Sequence, residues 1–221
     1  MNLDLGDTRL IINECKKQGL LRNQAAYVLA TAYHESGHTM KPVREYGGEA
    51  YLKTKKYYPY VGMGYVQLTW DYNYKDWSKR LNVDFMTNPK LLLKPEYAVE
   101  ILVLGSKLGT FTKKKLSDFM TLSGSDYFNA RSIINGDKNL VKNKIKIGDL
   151  IAGYARAYEK DLLAIGYGVE ATEKPVQTIP VPPKVSIPEN TNLSVTPSVA
   201  PVSALAKFIQ FLFSLFPKKG K

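Results

Sequence analysis

Glu35 stands in the run Tyr33-His34-Glu35-Ser36-Gly37-His38, near the end of a helical pattern. Ala25, Val28, Leu29 and Ala32 recur at i, i+3, i+4 and i+7, which marks one buried helical stripe. Asn23 can cap the start of that helix through its side-chain oxygen, and Gly37 suits its end. A carboxyl in the last turn of a mostly apolar helix faces two penalties. The helix C-terminus repels negative charge, and burial disfavours ionisation. Both raise its pKa, as a general acid requires. The plainer reading is an exposed glutamate at a frayed helix end.

A second segment, Gly62-Met63-Gly64-Tyr65-Val66-Gln67-Leu68-Thr69-Trp70-Asp71-Tyr72-Asn73-Tyr74, reads as a turn entering a short extended run. Period-2 alternation there puts Gln67 and Thr69 on one face and Val66 and Leu68 on the other. Tyr65, Trp70, Tyr72 and Tyr74 crowd around it. Flat aromatic faces beside amides and hydroxyls suit sugar rings and their hydroxyl groups. An aromatic-rich core is the plainer alternative.

His34-Glu35-Ser36-Gly37-His38 also spells His-Glu-x-x-His, a zinc metallopeptidase pattern. That chemistry needs both imidazoles on one face of a continuous helix, plus a third ligand. The chain has only two histidines, Gly37 lies between them and Pro42 follows, so the helix is expected to end too early. A glutamate as third ligand stays open. The expected positions are His34 near Glu35 and His38 in a loop.

Three segments taken in order, His34-Glu35-Ser36-Gly37, then Gly62-x-Gly64-x-x-Gln67-Leu68-Thr69-Trp70-x-x-Asn73-Tyr74, then Arg131-Ser132-Ile133-Ile134-Asn135-Gly136, resemble the glycoside hydrolase family 19 chitinases, and more specifically the phage endolysins of that superfamily. The resemblance covers residues 1–168. It implies a mainly α, lysozyme-like fold with few short strands, and inverting hydrolysis of a β-1,4-linked aminosugar polymer. Glu35 matches the family's general acid. Gln67, Thr69, Tyr72 and Asn73 fall on its substrate-cleft positions, with Thr69 replacing the serine usual in chitinases. Asn135 matches the asparagine of its Ile-Asn-Gly motif. Glu45 is the choice for the carboxylate that activates water, because Glu-x(4)-Ala-Tyr resembles the endolysin pattern; Glu49 is the reserve. The arginine that plant chitinases carry in their last helix has no counterpart, Ile151 lying near that position. The resemblance favours the glycan strand of peptidoglycan, cut muramidase-fashion during host lysis, over chitin. No cofactor and no metal is expected. Against this stand a chitinase, a zinc metallopeptidase and a non-catalytic wall-binding module.

An inverting hydrolase needs its carboxyl groups roughly 6.5–9.5 Å apart, with room for a water. The chain between Glu35 and Glu45 contains Pro42 and Gly37 and can double back to meet that need.

The elements that must position these residues can be read along the chain. Residues 7–18 form a helix that Asp7 can cap. Residues 39–62 are a loop-rich lobe of Tyr and Gly. Helices follow at Asp71 to Leu81, from Glu96 to near Gly105, at Leu116 to Met120, at Tyr127 to Asn135 and at Ile147 to Ile165. Cys15, the single cysteine, excludes an internal disulfide and fits a buried position in a protein folded in a reducing compartment.

Lys and Arg number 31 against 20 Asp and Glu, a net +11, with clusters at residues 113–115 and 138–146. Such a surplus points to polyanionic partners. Neither cluster has the register of a DNA-reading helix, so wall and membrane are favoured and nucleic acid is not. The opening residues lack the basic start and apolar core of a secretory signal. Host cytoplasm followed by the wall is therefore the expected route, as a monomer. Residues 169–202 read as a Pro-rich, polyproline-like spacer. Residues 203–217 form an apolar stretch with a narrow polar stripe, followed by the basic end 218–221. The stretch is roughly 20 Å of helix, short of the roughly 30 Å hydrocarbon core. An interfacial helix engaging anionic lipid, at a host or virion membrane, is expected there; a docked helix is the alternative.

Overall fold

The structure, a computed structural model, describes residues 1–168. The Pro-rich spacer and the apolar tail lie outside the described residues. Seven α-helices are present among the described residues: α1 (Thr8–Lys17), α2 (Arg22–Glu35), α3 (Gly48–Leu52), α4 (Asp71–Leu81), α5 (Pro95–Leu108), α6 (Tyr127–Ala130) and α7 (Ile147–Ala164). Three two-stranded antiparallel sheets accompany them: β1 (Val43–Arg44) with β2 (Met63–Gly64), β3 (Met120–Thr121) with β4 (Gly124–Ser125), and β5 (Val141–Lys142) with β6 (Ile145–Lys146). The mainly helical class expected from the sequence is the class observed.

The core is built around α2. Every residue from Ala25 to Ala32 is buried, not one stripe alone. The four alanines leave room for neighbours on all sides, so the helix is enclosed and has no solvent face. α7 lies along it, with α6 against α7 and α1 against α5. Apolar burial of this kind stabilises at about 25 cal/mol per Å². Asn23 does not cap α2. Gln24 accepts the N–H of Leu21 through Oε1 at 3.2 Å, while Asn23 ties the helix start to the β3–β4 hairpin, donating to the Thr121 carbonyl at 2.8 Å. The helix ends at Glu35, and Gly37 turns left-handed at φ +61°.

Other boundaries differ from expectation for local reasons. Asp7 sits at the start of α1 but makes no capping bond; its carboxylate accepts from the Tyr65 hydroxyl at 2.8 Å instead. α5 runs through Gly105 to Leu108 and stops at Gly109, whose φ is +75°. Leu116–Asp118 is one 3₁₀ turn leading into β3. The expected helix from Tyr127 breaks after Ala130 into a 3₁₀ turn at Arg131–Ile133. The extended run after Gly64 is absent. Met63 and Leu68 exchange both backbone hydrogen bonds, at 3.1 and 2.9 Å, so residues 64–67 form a tight loop with Gln67 at φ +51°. Tyr65, Val66, Gln67 and Leu68 are all buried, and the expected alternation of faces does not occur.

Candidate active site

A cavity of about 320 Å³ opens beside this loop. Its walls come from the loop and Trp70, from Asn73, Asp76 and Trp77 on α4, from the turn at residues 110–112, and from Ile134, Asn135 and Gly136. Glu45 and Tyr57 of the 39–62 lobe close another part of it. Five of the residues singled out in the sequence therefore meet in one place: Glu45, Gln67, Thr69, Asn73 and Asn135.

Three of them, Gln67, Asn73 and Asn135, are held by the fold in a way that leaves one polar atom over. Gln67 donates from Nε2 to the carbonyls of Val43 and Gly64, at 2.9 and 3.0 Å, and its Oε1 is buried without a partner. Asn73 donates to the Thr69 carbonyl at 2.8 Å, which leaves its own Oδ1. Asn135 accepts the Gly136 N–H at 2.7 Å, and its Nδ2 is buried without a partner. Thr69 donates to the Gln67 carbonyl at 2.7 Å. A buried amide without a partner costs about 1–3 kcal/mol, so these groups are set for a ligand that can bond both donors and acceptors. Gly62 is required here, because a Cβ on it would lie 2.7 Å from Gln67 Oε1.

Glu45 is fixed by two donors. Tyr57 Oη reaches its Oε1 at 2.6 Å and the Gly62 N–H reaches its Oε2 at 3.0 Å. Glu49, the reserve, is elsewhere: it is exposed, bonded to Arg44 at 2.9 Å and Tyr58 at 2.8 Å, and is not part of the cavity wall. Tyr72 is also outside. It is 57% exposed and stacks on Trp70, with ring centroids 6.1 Å apart.

Glu35 is buried, 1% exposed, and is not a lining residue. Its Oε1 accepts from Arg131 Nη1, and its Oε2 has no partner among the described residues. Arg131 is fully buried and is also gripped by Asp137, at 2.6 and 3.1 Å. The Arg131 carbonyl accepts the N–H groups of Ile134 and Asn135, at 3.2 and 3.0 Å. Glu35 is thus wired to the cavity wall through a single arginine. Burial pushes its carboxyl above the ordinary carboxylate range, Arg131 opposes that, and the negative charge of Asp137 works in the same direction as burial. Asp137 matters because it neutralises much of the guanidinium that would otherwise hold Glu35 ionised.

Sequence reasoning gave Arg131 and Asp137 no role. The signal was a charged pair six residues apart flanking Ile133-Ile134, since an arginine in an apolar turn must find a carboxylate. Ile151 is buried, and the guanidinium that meets Glu35 comes from Arg131. The zinc reading fails on geometry. α2 stops at Glu35, so His38 is off the helix, at φ +71° and stacked on Tyr33, with a 3.3 Å contact to Tyr154 Oη. His34 is buried within α2, and burial pushes its pKa well below 6.5. The two rings do not share a helical face.

No family model matches the chain. The chain is similar to an acidic endochitinase of Dioscorea japonica, 34% identical over 87 residues, which are 36% of this chain and 34% of that protein. Over that stretch it is chitinase-like, and it spans about a third of the length of this relative. Among solved structures it is similar to chitinase C from Streptomyces griseus HUT6037, with a TM-score of 0.48 and 18% identity over 64% of this chain and 60% of that one.

Proposed function

We propose that this chain is a glycoside hydrolase that cuts β-1,4 bonds of an aminosugar polymer with inversion. The observation that supports it most is Glu35: a buried carboxyl held above its usual range, with one oxygen on Arg131 and the other unpartnered, behind a wall of unpartnered amides. Glu35 donates its proton from Oε2 to the glycosidic oxygen. Glu45 accepts a proton from the water that attacks the anomeric carbon from the opposite face. Gln67, Asn73 and Asn135 bond the sugar, and Thr69 orients the water. Glu35 is buried and outside the lining, so the reaction requires its carboxyl to gain access to the cavity as substrate enters.

The polymer we infer is the glycan strand of peptidoglycan, cut on the muramic side in the manner of an endolysin. The net charge of +11 suits an anionic wall. Chitin is the second reading, favoured by the similarity to a plant endochitinase. Mass spectrometry of fragments from purified peptidoglycan, reading the reducing-end sugar, separates the cases. Muramic reducing ends support the proposal, glucosamine ends correct the bond, and intact peptidoglycan beside digested chitin favours the second reading.

A further inference from the structure

The charge of the cavity runs against the charge of the chain. Cationic residues exceed anionic ones by 11 over the sequence. Yet none of the described residues lining the cavity is Lys, Arg or His, and two are carboxylates, Glu45 and Asp76. Both oxygens of Glu45 are engaged by the fold. Those of Asp76 are not. Its Oδ2 accepts from Arg80 Nε at 2.7 Å, its Oδ1 has no partner among the described residues, and its side chain is 48% exposed.

α4 explains the placement. Asn73, Asp76 and Trp77 stand at i, i+3 and i+4, on one helical face, and all three line the cavity. Asp76 is about 4.5 Å along the axis from Asn73, a step comparable with one pyranose unit. Thr110, of the turn that forms another part of the cavity wall, has a buried hydroxyl with no partner among the described residues. A polymer of N-acetylated sugars offers this carboxylate no charge to meet. A sugar with a free amine at C2 does.

We propose that Asp76 is a specificity residue that binds the C2 ammonium of a glucosamine unit, so that the cleft favours a partly de-N-acetylated β-1,4 aminosugar polymer. This rests on the reading of the cavity as a glycan cleft. The ammonium donates to Oδ1 in a charge-assisted bond, and no cation in the wall competes. Arg80 shares the carboxylate from outside the wall and so weakens the selection.

Binding separates this inference from catalysis. The full chain carrying Glu35→Gln, which slows turnover, is titrated calorimetrically with two aminosugar oligomers of equal length. One is fully N-acetylated and the other fully de-N-acetylated, at a pH where the amine is charged. Adding Asp76→Asn weakens the de-N-acetylated oligomer about fivefold, the worth of one partly exposed ion pair, and the acetylated one by clearly less. Arg80→Ala tightens the de-N-acetylated oligomer, an opposite sign that a folding defect does not produce. An equal change for both oligomers, or none on Asp76→Asn, overturns the inference and leaves the glycosidase reading standing. Failure of both oligomers to bind without Asp76→Asn sinks the glycan cleft itself.

Discussion

Arg131 lies between two carboxylates that want different things from it. Asp137 takes two of its nitrogens, and Glu35 takes one. Asp137→Asn returns the guanidinium to Glu35, so the basic limb of the kcat/KM profile moves to lower pH; an unmoved limb would mean Glu35 is not the group that limits it. Arg131→Met leaves two buried carboxyl groups without their partner and costs about 3–5 kcal/mol, readable by denaturant unfolding. Glu35→Gln lowers kcat by about 10²- to 10⁴-fold with unfolding still cooperative. His34 has its own pH signature. Its folded pKa lies below the ordinary 6.5, so its contribution is present above about 6.5 and lost as pH falls. Glu35 acts with the opposite sign, its contribution lost as pH rises through the raised value. His34→Gln therefore removes part of the acid-side loss of stability. Glu35 drew notice as a carboxyl in a mostly apolar helix, and Gln67 and Asn135 through the resemblance of their motifs to a known family. Arg131 was not, because its partners become neighbours only after the chain breaks helix at Ala130.

Helices were legible where periodicity and stops agreed, as at Asp71–Leu81. They were misread where a glycine had a tertiary use. Gly105 does not end α5; it makes room for Phe111, whose Cζ would lie 2.0 Å from an added Cβ. Gly105→Ala gains about 1 kcal/mol of helix propensity and loses about 1–3 to overpacking. Phe111 lines the cavity and stacks on Trp77. The variant is thus expected to melt lower and to show a raised KM, and a higher melting point would show that Phe111 swings away freely. The loop at 64–67 was read as a strand because the alternation of types was right. The Met63–Leu68 pairing and the left-handed Gln67 decide otherwise.

Across the molecule, a chain of net charge +11 carries a cavity lined by no cation among the described residues. Charge then serves encounter and the cavity serves chemistry. Raising ionic strength should slow attack on insoluble, anionic wall material, because surface attraction is screened beyond about 8 Å at physiological salt. Turnover of a soluble, uncharged oligomer should change little; equal slowing of both would place the effect inside the cavity. The central claim is a protonated Glu35 acting across a cleft from Glu45, with water between them. It is tested most directly by the anomer first formed from a soluble β-1,4 aminosugar oligomer, followed by proton NMR before mutarotation. The account expects the α anomer, from direct displacement by water. A β product would require a double displacement in place of direct attack by water, and would contradict it.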